Sequence, residues 1–291
     1  MSASTLYALG AIGLWASLAS LGTALAHLPP FLLTGISLTI GSLLSAPLVL
    51  RDRSAWKVPL RTLALGVYGL FGFHFLLFIA LRNAPPVEAN LVNYLWPLLM
   101  VVLAPLLLPG MTLRPLHVAA ALLGFAGAAM AILGAGGGGQ TSATPSTLSN
   151  DWRSHWGFLP ALGSAFIWAS YSLWTRRVPA FPTAAIGLFG LVSGLLSLAC
   201  HAVLETTPGL AVADGLLLLA CGLGPLGAAF YLWDLALKHG DARQIGILSY
   251  ITPLASTAML LVVTDRPLSW RIALAAALII AAAVMGSRAR S

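Results

Sequence analysis

The chain has 291 residues, 59% of them hydrophobic and only 8% charged, with a mean hydropathy of +0.92. A soluble domain carries about 25% charged residues, so this composition excludes a water-facing globule and makes lipid the solvent over most of the surface. The net charge of +7 comes without any basic run, which excludes a nucleic-acid surface. The arginines and lysines stand singly or in small groups at the ends of apolar segments, as topology determinants do.

About 20 apolar residues cross a bilayer as helix. Ten segments meet that length: 4–26, 31–50, 60–81, 87–108, 115–135, 155–177, 183–204, 212–237, 244–264 and 268–287. In the first, Ala24-Leu25-Ala26 resembles a signal-peptide cleavage site, but no Lys or Arg precedes the apolar run. Trp15-Ala16-Ser17 also returns as Trp168-Ala169-Ser170 in the sixth segment, so the first is expected to be retained as architecture. In the third segment Phe71, His74, Phe75 and Phe78 share one helical face. His74 lies near mid-span, where an ionisable group is a functional candidate; substrate contact, proton coupling and a simple bond to a carbonyl all remain open.

The fourth segment carries Asn90, Asn93, Tyr94 and Pro97 on one face, with Trp96 on its flank. Amides facing lipid are costly, so this face is expected to point into the bundle or a cavity. Interhelical bonding by the asparagines is the alternative role. The fifth and tenth segments are almost all Ala and Gly on their facing positions and read as close-packed scaffold. Residues 136–154 are rich in Gly, Ser and Thr and read as a flexible linker. In the sixth segment Ser164, Trp168, Tyr171 and Thr175 share a face, and Trp15 and Ser17 are the counterparts of Trp168 and Ser170. In the eighth, Asp234 is the only carboxylate well inside a segment, one turn from Tyr231 and one from Lys238. Pairing with Lys238 and proton coupling are its two readings. Cys200 and Cys221 have no metal-ligand or redox spacing and read as packing residues.

Two stretches repeat at an offset of 156 residues: Tyr94-Leu95-Trp96-Pro97-Leu98 onto Tyr250-Ile251-Thr252-Pro253-Leu254, and Ala80-Leu81-Arg82 onto Ala236-Leu237-Lys238. With the N-terminus cytoplasmic, eleven Lys and Arg fall inside and four outside, which places both termini in the cytoplasm. Five segments per half is an odd number, so the halves enter the membrane in opposite senses, as in many secondary transporters. The expected fold is all-α, ten transmembrane helices in two inverted five-helix repeats. Residues 1–136 form the first, 137–154 the extracytoplasmic linker and 155–291 the second.

Ten segments as five plus five, Trp-Ala-Ser opening each half, and Ala-Leu-Arg or Ala-Leu-Lys closing each third helix resemble the EamA-type drug/metabolite transporter superfamily. Asn93-Tyr94-Leu95-Trp96-Pro97-Leu98 is similar to its aromatic amino acid exporters of bacterial inner membranes. The resemblance implies a central cavity lined by the third, fourth, sixth, eighth and ninth helices and worked by alternating access. The cavity aromatics would be Tyr94, Trp96 and Trp168, with His74 and Tyr171 nearby. Many members carry Gly-Glu before the last helix of each half, where this chain has Pro109-Gly110 and Asp265-Arg266.

The charge inventory narrows the solute. A phosphorylated substrate needs Arg or Lys deep in the site, and every one here lies near a segment end. A proton-coupled cation antiporter of the small drug-transporter kind uses a carboxylate in its first helix, and neither the first nor the sixth segment has one. A polar, uncharged, aromatic-rich path suits neutral or zwitterionic solutes with rings. Export of aromatic and other neutral amino acids is therefore expected; a broader metabolite or drug exporter and a non-transporting membrane protein are the alternatives. No histidine pattern of a metalloenzyme is present. No enzyme activity, cofactor, metal or nucleic acid is expected; the partners are the bilayer, the solute and, if transport is coupled, protons. A monomer or a homodimer fits. The residues expected to meet the solute are Ser17, His74, Phe78, Asn90, Asn93, Tyr94, Trp96, Trp168, Tyr171, Tyr231 and Tyr250. Pro97, Pro225 and Pro253 are the expected hinges, and His74 and Asp234 the candidates for proton coupling.

Overall fold

A computed structural model describes residues 2–136, 156–264 and 270–288. The linker 137–154 lies outside the described residues, as do His155, Asp265, Arg266 and Arg290. Every described element is a helix: α1 (Ala3–Ala16), α2 (Leu18–Ala24), α3 (Pro30–Ser42), α4 (Ala46–Arg51), α5 (Leu60–Val67), α6 (Phe73–Asn83), α7 (Pro86–Asn93), α8 (Trp96–Leu107), α9 (Pro115–Gly136), α10 (Phe158–Trp174), α11 (Ala185–Leu204), α12 (Val212–Leu223), α13 (Ala229–His239), α14 (Ala242–Leu248), α15 (Ile251–Thr264) and α16 (Trp270–Arg288). Among the described residues, eight continuous or near-continuous helices are long and apolar enough to cross a membrane. The sixth and ninth segments differ from that pattern. The sixth is α10, a helix of 17 residues. The ninth is split into α14 and α15 at Ser249-Tyr250.

The interruptions fall where the sequence repeats. A π-helical turn at Tyr68–Gly72 joins α5 to α6, and another at Gly224–Ala228 joins α12 to α13; the two start 156 residues apart. α7 and α8 part at Tyr94-Leu95, one residue from the position that corresponds to the break between α14 and α15. Pro97 and Pro253 sit in the first turns of α8 and α15, where a missing N–H costs nothing. Pro225 sits in the second π turn.

Closest packing joins α9 to α16, α3 to α11, α1 to α13, α6 to α10, and α8 to both α10 and α14. Ala120, Ala121, Ala128 and Ala131 are wholly buried on α9, as are Ala275, Ile279 and Ala282 on α16. Short side chains let these backbones approach, as the composition implied. A second close approach lies where α3 crosses the π turn: a Cβ on Gly227 would overlap the Gly222 carbonyl and fall 2.9 Å from Gly41 Cα. Cys200 and Cys221 are free thiols, and Cys221 packs among Leu25, Leu28 and Leu218. At the start of α14, burial opposes the charge on Asp241. Hydrogen bonds from the Arg243 side chain and N–H outweigh that effect and hold its carboxyl below the usual range.

The glycine crossing is directly testable. Gly227→Ala is expected to lower the melting temperature of the detergent-solubilised protein, at a cost of about 1–3 kcal/mol. Gly13→Ala, whose new methyl meets nothing within 4 Å, is expected to raise it slightly, by roughly 0.5–1 kcal/mol.

Candidate functional site

Trp168 lies in the second half of α10 and is 3% exposed. Six other rings surround it, with centroids 5.4 Å away for Phe73 and Tyr171, 5.7 Å for Trp15 and Phe230, 6.1 Å for Trp233 and 6.3 Å for Trp96. Most pairs are tilted or edge-to-face, the arrangement the ring quadrupole prefers, and Trp233 stacks on Trp168 at 28°. Trp15 (α1), Phe73 (α6) and Trp96 (α8) come from the first half of the chain. Tyr171, Phe230 and Trp233 come from the second, on α10 and α13. The cluster therefore straddles the two halves.

Local structure aims these rings. The Trp15 indole N–H donates to the Pro225 carbonyl at 3.1 Å, inside the second π turn. The Trp233 N–H donates to Ser172 Oγ at 3.1 Å, one helical turn from Trp168. Tyr171 lies on Gly69 of the first π turn so closely that a Cβ there would overlap its ring. Tyr68 and Ser170 share a 2.8 Å hydroxyl bond between the same turn and α10. A π turn in a membrane helix commonly marks a functional position, and here both turns carry or seat the rings.

His74 is buried between Phe73, Phe78 and Phe230, at ring distances of 5.0, 6.0 and 6.3 Å. Its Nδ1 lies 2.6 Å from the Leu70 carbonyl. A carbonyl only accepts, so Nδ1 carries the proton and Nε2 is the nitrogen left for a solute.

The structure thus brings together Trp96, Trp168 and Tyr171, with His74 and Phe78 adjoining through Phe73 and Phe230. Other expected site residues stand elsewhere. Asn93 accepts a 2.8 Å bond from Ser164, the interhelical role that was its alternative. Ser17 bonds the Leu14 carbonyl at the α1–α2 junction. The Tyr231 hydroxyl donates to the Gly41 carbonyl at 3.2 Å. Tyr250 is wholly buried against Gly124 and Phe125 of α9, its hydroxyl beside the Leu98 backbone without a well-formed bond. Asn90 and Tyr94 are half-buried on α7 and at its C-terminus. Asp234 is taken up by Lys238 and Thr183, each at 2.6 Å.

Four rings of the cluster were not singled out as solute contacts from the sequence: Trp15, Phe73, Phe230 and Trp233. The repeat held a signal for two of them, since Trp15 is the counterpart of Trp168 and Phe230 lies 156 residues after His74. Trp233 follows Phe230 by three residues and shares its face. Among the described residues no cluster of His, Cys, Asp or Glu is fit to hold a metal.

Broken apolar helices enclosing a buried polar and aromatic centre define a multi-pass membrane transporter. The chain belongs to the EamA-like transporter family, whose profile matches it twice, over residues 2–133 and 155–288. It is 40% identical over 289 residues to the aromatic amino acid exporter YddG of Ancylobacter novellus, covering 98% of this chain and 97% of that one. The Escherichia coli protein of the same name is 29% identical over 185 residues, 63% of this chain and 61% of its own. An uncharacterized transporter of Bacillus subtilis, YvbV, is 28% identical over 261 residues, 84% of this chain and 78% of that one. One crystal structure, 38% identical, superposes with a TM-score of 0.86 over 99% of this chain and 98% of the other.

The Asp234–Lys238 pair yields a second prediction. Lys238→Met leaves a 3%-exposed carboxylate without its counter-ion and is expected to destabilise the protein by up to about 3 kcal/mol. Asp234→Leu with Lys238→Met is expected to restore most of that loss, read as melting temperature in detergent.

Proposed function

We propose that this protein exports aromatic and other neutral amino acids from the cytoplasm across a bacterial inner membrane. One observation carries the reading: a ring of aromatic side chains, drawn from both halves, closes around Trp168 deep in the bundle. A solute ring replaces one of these contacts with another of the same kind, each worth about 0.5–1.5 kcal/mol beyond burial. Its ammonium is attracted to the faces of Trp and Tyr, and His74 Nε2 offers an acceptor close by. The relative that is 40% identical, named an aromatic amino acid exporter, supports the same solute class.

In this reading the chain spans the membrane ten times in two inverted five-helix repeats, with both termini cytoplasmic. The twofold match of the family and the paired π turns support two related halves. The halves rock about the α9–α16 seam and expose the aromatic cluster to each side in turn. Pro97, Pro225 and Pro253 stand at helix interruptions and serve as hinges. Asp234 is engaged by Lys238 and Thr183, so a coupled proton would use His74, and passive efflux needs neither.

Reconstitution in proteoliposomes tests this. Saturable counterflow of labelled phenylalanine, competed by tryptophan, is expected, with Trp168→Ala or Trp96→Ala weakening transport of aromatic solutes about tenfold or more while threonine moves as before. Equal loss for every solute would assign the rings to packing. Movement of a broad set of metabolites without preference for rings would favour the wider exporter. Transport that does not change with a pH gradient would remove His74 from proton coupling.

A further inference from the structure

We propose that Glu205 is a gate residue: it closes one mouth of the path to the Trp168 cluster by holding Phe31 and Arg82 across the two halves, and transport requires that hold to release. The proposal rests on the transport reading above.

Glu205 is the residue after α11, and its side chain is 2% exposed. A carboxylate removed from water needs a full set of donors. It has them. Oε1 accepts from Arg82 Nη2 at 2.5 Å and from the Phe31 N–H at 3.3 Å; Oε2 accepts from the Leu32 N–H at 3.3 Å and lies 2.9 Å from His201 Nδ1. His201 is steadied through Nε2 by Thr207 at 2.9 Å. Phe31 and Leu32 are in the first turn of α3, whose N–H groups have no partner within that helix. Helices ordinarily take such a cap from their own preceding residue. Here Pro29 stands in that place, makes no side-chain cap, and the carboxylate comes from the other half of the chain.

What Glu205 fixes is a ring at the end of a column. Arg82 lies 5.7 Å over the Phe31 ring. Phe31 meets Phe78 at 5.5 Å, Phe78 meets His74 at 6.0 Å, His74 meets Phe230 at 6.3 Å, and Phe230 meets Trp168 at 5.7 Å. The column runs unbroken from the charged pair to the central cluster. On the outer side of the pair, a cleft of about 620 Å³ opens between the halves, walled by His27, Pro29, Arg82, Leu204 and Glu205. Arg82 and Glu205 form part of its wall, and Phe31, bonded to Glu205 through its N–H, lies next to them.

The opposite end is built differently. Lys238, the repeat counterpart of Arg82, bonds Asp234 on its own helix and the Phe181 carbonyl and Thr183 in its own half. That set moves as one body when the halves part. Among the described residues the Arg82–Glu205 ion pair and a 3.1 Å contact of His27 with Asp214 join the halves, and the same cleft is walled by both His27 and Arg82. Arg243 also reaches across the halves, to the Thr112 carbonyl. Among the described residues, however, the carboxylate–guanidinium pair between the halves is Arg82–Glu205, where Glu205 holds the backbone of the nearest ring residue of the path.

The test uses the full chain with Cys200 and Cys221 replaced by Ser. In Arg82→Cys/Glu205→Cys, a short reducible bis-thiol cross-linker is expected to stop phenylalanine counterflow, and reductant to restore it. Transport by fully cross-linked protein at the uncross-linked rate overturns the proposal. A second arm needs no transport and so separates failure of the gate from failure of the solute assignment. Phe78→Cys is labelled by a membrane-impermeant thiol reagent with and without Glu205→Gln. Gln keeps an acceptor for the α3 N–H groups but loses the charge that holds Arg82, and labelling about tenfold faster is expected. An unchanged labelling rate in a variant with unchanged melting temperature overturns the proposal as well.

Discussion

In hydrocarbon a backbone carbonyl without a partner is expensive, and a membrane helix can break only where something else takes the bond. Both π turns of this protein meet that constraint with side chains of the candidate site. Trp15 donates to Pro225 in one turn, and His74 donates to Leu70 in the other. Each bond ties a ring to a turn and so sets the angle of that ring. The site and the helix interruptions are thus one construction, and changing the turn would move the ring.

That coupling explains why the aromatic cluster draws on both halves. α1 packs on α13, and α6 and α8 pack on α10, so first-half helices are interleaved with second-half ones around Trp168. A cluster at such a boundary is sensitive to any relative motion of the halves. Rings in tilted and edge-on contact have shallow, broad energy wells, and they exchange partners without breaking directional bonds. The polar bonds at the edge of the cluster, from Trp233 to Ser172 and from Tyr68 to Ser170, lie within α10 and its neighbours and keep the frame fixed.

Much of this was legible in the sequence. Apolar run length marked the helices, the offset repeat marked related halves, and proline placement marked three of the interruptions. Trp96, Trp168, Tyr171 and His74, which the sequence marks because a polar or aromatic face on an apolar helix has few other uses, are the expected residues that the structure brings together. Where an expected residue stands apart from the ring cluster, the physical reason is the same. Helical spacing shows which residues share a face but not which neighbour that face meets. Asn93 and Tyr231 carry polar groups that satisfy other helices, at Ser164 and Gly41. Tyr250 shares its motif with Tyr94 yet turns to the scaffold, because Gly124 on α9 leaves room for a ring there. Trp233 was passed over since nothing local distinguishes it from a lipid-facing tryptophan; only the tertiary fold brings Ser172 to its N–H.

The seam between α9 and α16 is lined by alanines, glycine and isoleucine, side chains that carry no hydrogen-bonding group. Contact of this kind resists separation through close packing but offers little resistance to a small slide or twist, because no directional bond is lost. It behaves as a dry bearing. In the transport reading proposed above, a seam of this kind joins the halves without favouring any one arrangement of them. Any preference among arrangements would then come from the rings and charges elsewhere in the bundle, which is where the proposed solute would act.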